Sequence, residues 1–178
     1  MVIVCLQLNL GVRPHSQEMP DFTRAFVESN GAPIQYGGRT LHSSLRLQVS
    51  AGDRVHVFLE HFVARPVQGL VIQAANRAHK LTIAPSSHNM FVLWTDTAPR
   101  HLEVAAPAEA RKPVELIVNN VWRDEKYGTM MYGVNAAAMV IEQPRADEWT
   151  LACSDGWGVE PDFSDLVVRL VHEHGKAL

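Results

Sequence analysis

The most regular pattern in the chain is an alternation over residues 40–49. Leu41, Ser43, Leu45, Leu47 and Val49 fall on one face, and His42, Ser44, Arg46 and Gln48 on the other. A period of two with one apolar face marks a half-buried strand. The turn formers Ser50-Ala51-Gly52-Asp53 come next, then a second strand-like run at 54–62, so the two runs are expected to pair as a hairpin. Shorter runs of the same kind lie at 70–74, 80–83, 90–94, 101–104, 114–121, 137–142, 149–153 and 166–171, and residues 1–8 read as a first strand. Pro66, Asn76, Pro85, Pro99, Pro107, Gly133 and Pro144 stand between them as turn signals. Residues 20–29 offer the one helical candidate, with Phe22, Phe26 and Val27 toward a core, and an edge strand over 23–27 competes with it. About ten short strands and at most one short helix predict an all-β fold, a two-sheet β-sandwich spanning 1–178 as one domain.

Composition narrows the classes of function. The 178 residues are 47% hydrophobic and 20% charged, which suits one packed domain. A net charge of −3, with Arg46, Arg54, Arg65 and Arg77 scattered, argues against nucleic acid or an anionic membrane as partner. The sequence has no apolar run of the roughly 18 residues that a transmembrane helix needs. Its opening run carries no positive n-region or small-residue cleavage site, so a cytoplasmic protein is expected unless export proceeds without a leader. Cys5 and Cys153, near opposite ends, are expected to be buried free thiols and not a bridge.

Carboxylates concentrate in the stretch from Cys153 to Asp165. Glu160, Asp162 and Ser164 alternate, and Asp165 leads directly into the apolar run Leu166-Val167-Val168. Calcium takes six to eight hard oxygen ligands, and a loop with oxygen-bearing residues at every second position can turn several around one ion. The spacing is not that of an EF-hand, and a solvated turn rich in Asp, Gly, Ser and Pro is the alternative reading.

The run Ser154-Asp155-Gly156, continued by Glu160-Pro161-Asp162-Phe163-Ser164-Asp165-Leu166, resembles the C-terminal calcium loop of the bacterial two-calcium lectins that bind fucose and mannose. It is also similar to calcium-loop domains of some secreted bacterial proteins. The resemblance covers roughly the last 25 residues. It implies calcium as cofactor, with Glu160, Asp162, Ser164 and Asp165 as ligands, and carbohydrate as partner, bound by direct coordination of sugar hydroxyls. Asp155 with Gly156 then forms the adjoining turn, and Trp157 or Trp122 offers an apolar wall. This chain departs from the pattern in three ways: Ser154 replaces an acidic ligand, Ser164 replaces an amide, and the segment before Glu160 is longer. The chain also continues through His172-Glu173-His174 to Leu178, where the lectins end soon after the strand.

Two further constellations stand out. Asn119-Asn120-Val121-Trp122-Arg123 mixes amides, charge and aromatics, which suits either a sugar grip through Asn120 and Trp122 or a hairpin with its aromatics packed inward. His172 and His174, two apart on a strand, share a face and have metal-ligand spacing, with His56, His61 or Glu60 as possible third ligands; polar residues at a strand end are the plainer reading. The chain has no Gly-rich phosphate loop, nucleophile elbow or cysteine nucleophile motif, and an enzyme is not expected. The expected function is therefore a calcium-assisted, lectin-like carbohydrate-binding module. The alternative is a homo-oligomerising assembly protein that joins through strand edges, and a histidine-based metal site ranks third.

Overall fold

Alternating burial recurs along most of the chain in the computed structural model, which describes residues 20–108, 110–156 and 160–175. The described residues form fourteen strands and one helix, numbered here in chain order. The larger sheet has nine strands in the order β1 (Ile34–Tyr36), β2 (Arg39–His42), β12 (Ala136–Arg145), β13 (Glu148–Gly156), β14 (Leu166–Glu173), β4 (Arg54–Phe62), β9 (His101–Ala105), β6 (Leu81–Ile83) and β7 (Ser86–His88). The smaller runs β11 (Met130–Met131), β10 (Val114–Arg123), β5 (Gln68–Ala74) and β8 (Met90–Trp94), and β3 (Leu45–Val49) also pairs with β10, on the flank away from β5. Both sheets are antiparallel, and the protein is an all-β sandwich. The first predicted strand, at 1–8, and Cys5 lie outside the described residues.

Inward faces of the two sheets meet in one apolar core. Val55, Val57 and Leu59 of β4, Leu151 and Cys153 of β13, and Leu166, Val168 and Leu170 of β14 pack with Leu45, Leu47 and Val49 of β3, Leu70 and Ile72 of β5, and Leu116 and Val118 of β10. Cys153 is a free thiol with no exposed surface, and burial pushes its pKa well above the ordinary range.

The hairpin expected from 40–62 does not form. Residues 40–49 break at Ser43 and Ser44 into β2 and β3, which join different sheets, and β4 pairs with β14 and β9 instead of β3. The turn at 50–53 therefore crosses between layers. Both flanking strands carry an apolar face, and facing each other across the core buries both faces, whereas pairing side by side would leave each in need of another cover. Strands in excess of ten come from this split and from β1, β7 and β11, which are too short to show a period.

The outer face of the larger sheet carries a second, smaller core. Along β12 and β13, Met139 and Leu151 point into the sandwich, while Ala136, Ala138 and Ala152 pack outward with Leu41, Phe163 and the helix α1 (Phe22–Glu28). The helical reading of 20–29 holds over the edge strand. Asp21 caps the helix by accepting from the Arg24 amide at 3.3 Å, Phe22 and Phe26 at i,i+4 are both buried, and Asn30 at φ 53° ends it. No helix among the described residues is long and apolar enough to cross a membrane.

β14 lies between β13 and β4, and Leu170 on its inward face has no exposed surface. Leu170→Ala is expected to lower stability by about 2–5 kcal/mol in urea denaturation, and a loss below about 1 kcal/mol would mean this site is not a close-packed core position.

Candidate functional site

Three polar clusters interrupt the apolar interior or border it, and strand register sets the first two. The first lies where β13 ends and β14 begins. Asp155 is a residue of β13, 2% exposed, and does not occupy the turn that the sequence suggested; the antiparallel ladder runs on through its pairing with Ala137. Its amide donates to Asp165 Oδ2 at 2.9 Å, and its own Oδ2 accepts from Gln68 Nε2, also at 2.9 Å. Gln68 Nε2 donates to the Pro66 carbonyl as well, at 3.0 Å. Among the described residues Gln68 Oε1 is buried without a hydrogen-bond partner. Gln68 went unnoticed in the sequence because it opens β5 between Val67 and Gly69 and meets Asp155 only through the fold.

Of the four predicted calcium ligands, Glu160, Asp162 and Ser164 are exposed and Asp165 is half-buried. Asp162 Oδ1 accepts from the Ser164 amide at 2.9 Å, a local turn bond. Phe163 sits among these residues at φ 59°, 5% exposed in the outer core beneath α1, and Arg39 lies 5.4 Å over its ring. Phe163 thus anchors the loop, and Asp155 and Asp165 are the two carboxyls that the fold brings together. Their oxygens and the Gln68 amide offer hard donors of the kind calcium takes. Trp157 lies outside the described residues.

Burial raises the Asp165 pKa to about 6; the Asp155 amide opposes this, while the charges of Asp155 and Asp162 add to it. A carboxyl raised in this way holds its proton in the folded state at pH values where the unfolded chain has lost it. Stability therefore falls as pH rises from 3.8 to about 6, and the full cost remains above that.

The second cluster is at the other end of β14. His172 and His174 do share a face, with ring centroids 4.2 Å apart, but none of the three predicted third ligands joins them. His56 instead contacts Glu173 at 2.9 Å and His101 at 3.2 Å, Glu60 binds Arg169 at 2.7 Å, and His61 is exposed. These side chains belong to the outer face of the sheet. The residue that meets the histidines is Asp53, from the turn before β4, because the β14–β4 ladder pairs Glu173 with Arg54. Asp53 Oδ2 lies 2.9 Å from His172 Nε2 and 3.8 Å from His174 Nδ1. Burial works against Asp53 ionising, but hydrogen bonds from the Gly175 and Ser50 amides and from His172 outweigh it and lower the pKa. His174 is shifted up, chiefly by its hydrogen bond to Asp147.

The third cluster is a groove of about 420 Å³ at one end of the sandwich. Thr23, Val27 and Asn30 from the α1 region, Ser43, Asn119 and Asn120 line it together with Tyr132 and Gly133. Thr23 Oγ1 donates to the Gly133 carbonyl at 3.1 Å, tying α1 to the segment before β12. Asn119 donates to the Ser43 carbonyl and Asn120 to the Ser154 carbonyl, each at 2.9 Å. Tyr132 is 62% exposed. Trp122 is 3% exposed and packed in β10, apart from this groove, and it borders a separate hollow of about 440 Å³ with Arg65, Pro66 and Lys126.

No family model, curated protein or solved structure matches the chain. Asp165→Asn keeps an acceptor for the Asp155 amide and removes the titration. In chelator-treated protein it is expected to flatten the fall in denaturation free energy between pH 3.8 and about 6; an unchanged slope would place the titrating group elsewhere.

Proposed function

We propose that this chain is a lectin-like carbohydrate-binding module. The sugar is held in the groove beside α1, and calcium assists from the acid pair behind the groove. The observation that carries the reading is the make-up of the groove. Thr23, Asn30, Ser43, Asn119 and Asn120 supply hydroxyl and amide groups beside an exposed tyrosine ring, in a volume of about 420 Å³. Sugars present hydroxyls that both donate and accept, around a ring with apolar faces. Amides and hydroxyls match the first feature and an aromatic ring the second. The volume falls within the range of small-ligand sites.

Calcium enters this reading as a support and not as the sugar's direct ligand. Asn120 is bonded to Ser154, the neighbour of Asp155, so an ion between Asp155 and Asp165 stiffens the strand on which the groove's floor rests. A second reading, self-association through the same surface, draws on Val27 and Tyr132, which are 73% and 62% exposed on the groove's rim.

A glycan array followed by calorimetry, with calcium and then with chelator, tests both readings. Tyr132→Ala is expected to weaken the best glycan by about tenfold or more with little change in melting temperature, as loss of an aromatic anchor does. Chelation is expected to weaken it and to lower the melting temperature. No glycan binding, together with a dimer in light scattering that Tyr132→Ala dissociates, would replace the first reading with the second.

A further inference from the structure

Asp53, His172 and His174 at the end of β14 do not line the groove, and their donors are of a different chemical kind. We propose that Asp53, His172 and His174 form a binding site for one divalent transition ion of the zinc type. One ligand atom from each residue lies within 4.8 Å of the other two, and they form the one such group of three among the described residues. Ligands held at about 2.0–2.1 Å around a tetrahedral ion stand a little over 3 Å apart. The contacts of 2.9 Å and 3.8 Å from Asp53 Oδ2 to the two imidazoles bracket that spacing, and side-chain rotation has to bring the two imidazole nitrogens, which lie within 4.8 Å of each other, to the same separation.

The surroundings of the three side chains match what such a site needs. His174 Nε2 lies 3.0 Å from Asp147 Oδ1. With the Nε2 proton donated to Asp147, the Nδ1 lone pair is left on the Asp53 side, the carboxylate–histidine pairing that orients metal-bound imidazoles. Asp53 is fixed independently: its Oδ1 accepts from the Gly175 amide and its Oδ2 from the Ser50 amide, both at 2.8 Å. The His172 amide donates to the Asp147 carbonyl at 2.8 Å, which ties the orienting residue to the strand that carries the ligands. Two ligands, Asp53 and His172, are buried, while the His174 side chain is 60% exposed. The ion therefore reaches the site from the His174 side, and its remaining coordination position faces solvent.

Donor chemistry selects the ion. Two imidazole nitrogens and one carboxylate suit zinc, cobalt or nickel, whereas calcium takes six to eight oxygens. Coordination through His172 Nε2 uses the lone pair of the neutral imidazole with its proton on Nδ1, and the ion takes the place of the hydrogen bond between His172 Nε2 and Asp53 Oδ2. No electron is transferred.

The test is calorimetric titration of zinc into the untagged, chelator-stripped full chain, with visible absorption of the cobalt(II) form as a readout of coordination geometry. Expected are one ion per chain, a tetrahedral cobalt spectrum and a higher melting temperature with zinc. His174→Ala, at an exposed position, and Asp147→Asn are each expected to weaken zinc by about 10–100-fold. Both can be checked for a native melting curve without metal, so the proposal does not depend on the buried His172→Ala or Asp53→Asn variants folding. His101→Ala, on the outer face beside His56, is expected to leave affinity unchanged. Absence of binding, or affinity that survives His174→Ala but falls with His101→Ala, overturns the assignment. Glycan binding is read in parallel on His174→Ala and should be unaffected, so failure here and failure of the sugar reading are separable.

Discussion

The pleat of β14 organises the molecule. Its side chains alternate between the two faces of the larger sheet, and with β13 on one side and β4 on the other they have no freedom to slip. A shift of one residue would turn Leu166, Val168 and Leu170 out of the core and Val167, Arg169 and Val171 into it. The register that keeps the leucines inside also fixes the polar residues at both ends. Asp165, just before the strand, is brought against the end of β13, and His172, on the inward face, must find a polar partner at the mouth of the sandwich. Asp53 supplies it. The apolar middle of one strand thus determines where two polar clusters form.

Buried polar groups also join the layers. Gln68 of β5 reaches Asp155 of β13, and Asn120 of β10 reaches the Ser154 carbonyl, so two adjacent residues of the larger sheet are each tied to the smaller one. A buried hydrogen bond adds only about 1 kcal/mol net, but leaving one partner unmade costs more, so such ties define one relative placement of the sheets where apolar contacts alone would allow several. Gln68 Oε1 stands out against this pattern because it is buried without a partner, and a few such groups per domain are normal. Its amide nitrogen is bound to the very carboxylate that faces Asp165. The unmatched acceptor is thus carried by the side chain that holds the acid pair.

The sequence revealed elements with a clear period and missed those that depend on distant partners. Alternating burial in β3 matches the alternation read from residues 40–49, and β4 and β14 fall on the strand-like runs read at 54–62 and 166–171. Pairing was less legible. The turn 50–53 has the composition of a hairpin turn, and nothing local distinguishes a turn that stays in a sheet from one that crosses between sheets. Carboxylate density drew attention to Glu160 and Asp162, which are exposed, while the buried partner of Asp165 proved to be Asp155, ten residues earlier. Phe163 could have been noticed as a lone aromatic among acids, the signature of an anchored loop. Asp53 could not: it reads as a turn former, and its partner His172 is 119 residues away. The groove draws on α1, β10 and the segment before β12, and no single stretch of sequence contains it.

An all-oxygen donor set and a nitrogen-bearing one lie at opposite ends of β14, and this bears on how the two proposed cation sites would coexist. At one end the donors are carboxyl and amide oxygens, and at the other two imidazoles and one carboxylate. Calcium and a zinc-like ion compete poorly for each other's ligands, because a thin set of nitrogen donors leaves calcium under-coordinated while imidazole binds transition ions far better than oxygen does. The ends also differ in what they hold. The acid pair is tied through Ser154 and Asn120 to the groove, whereas the histidines fasten β14 to the start of β4 and the turn at Asp147. An ion at the first end, as proposed, would act on the groove through the inter-sheet ties. An ion at the second end would act on the edge of the sandwich where β14 finishes, and the close-packed apolar side chains between them form a rigid divider that carries neither charge nor hydrogen bonds from side chain to side chain. The two proposed cation sites would therefore be uncoupled along the strand.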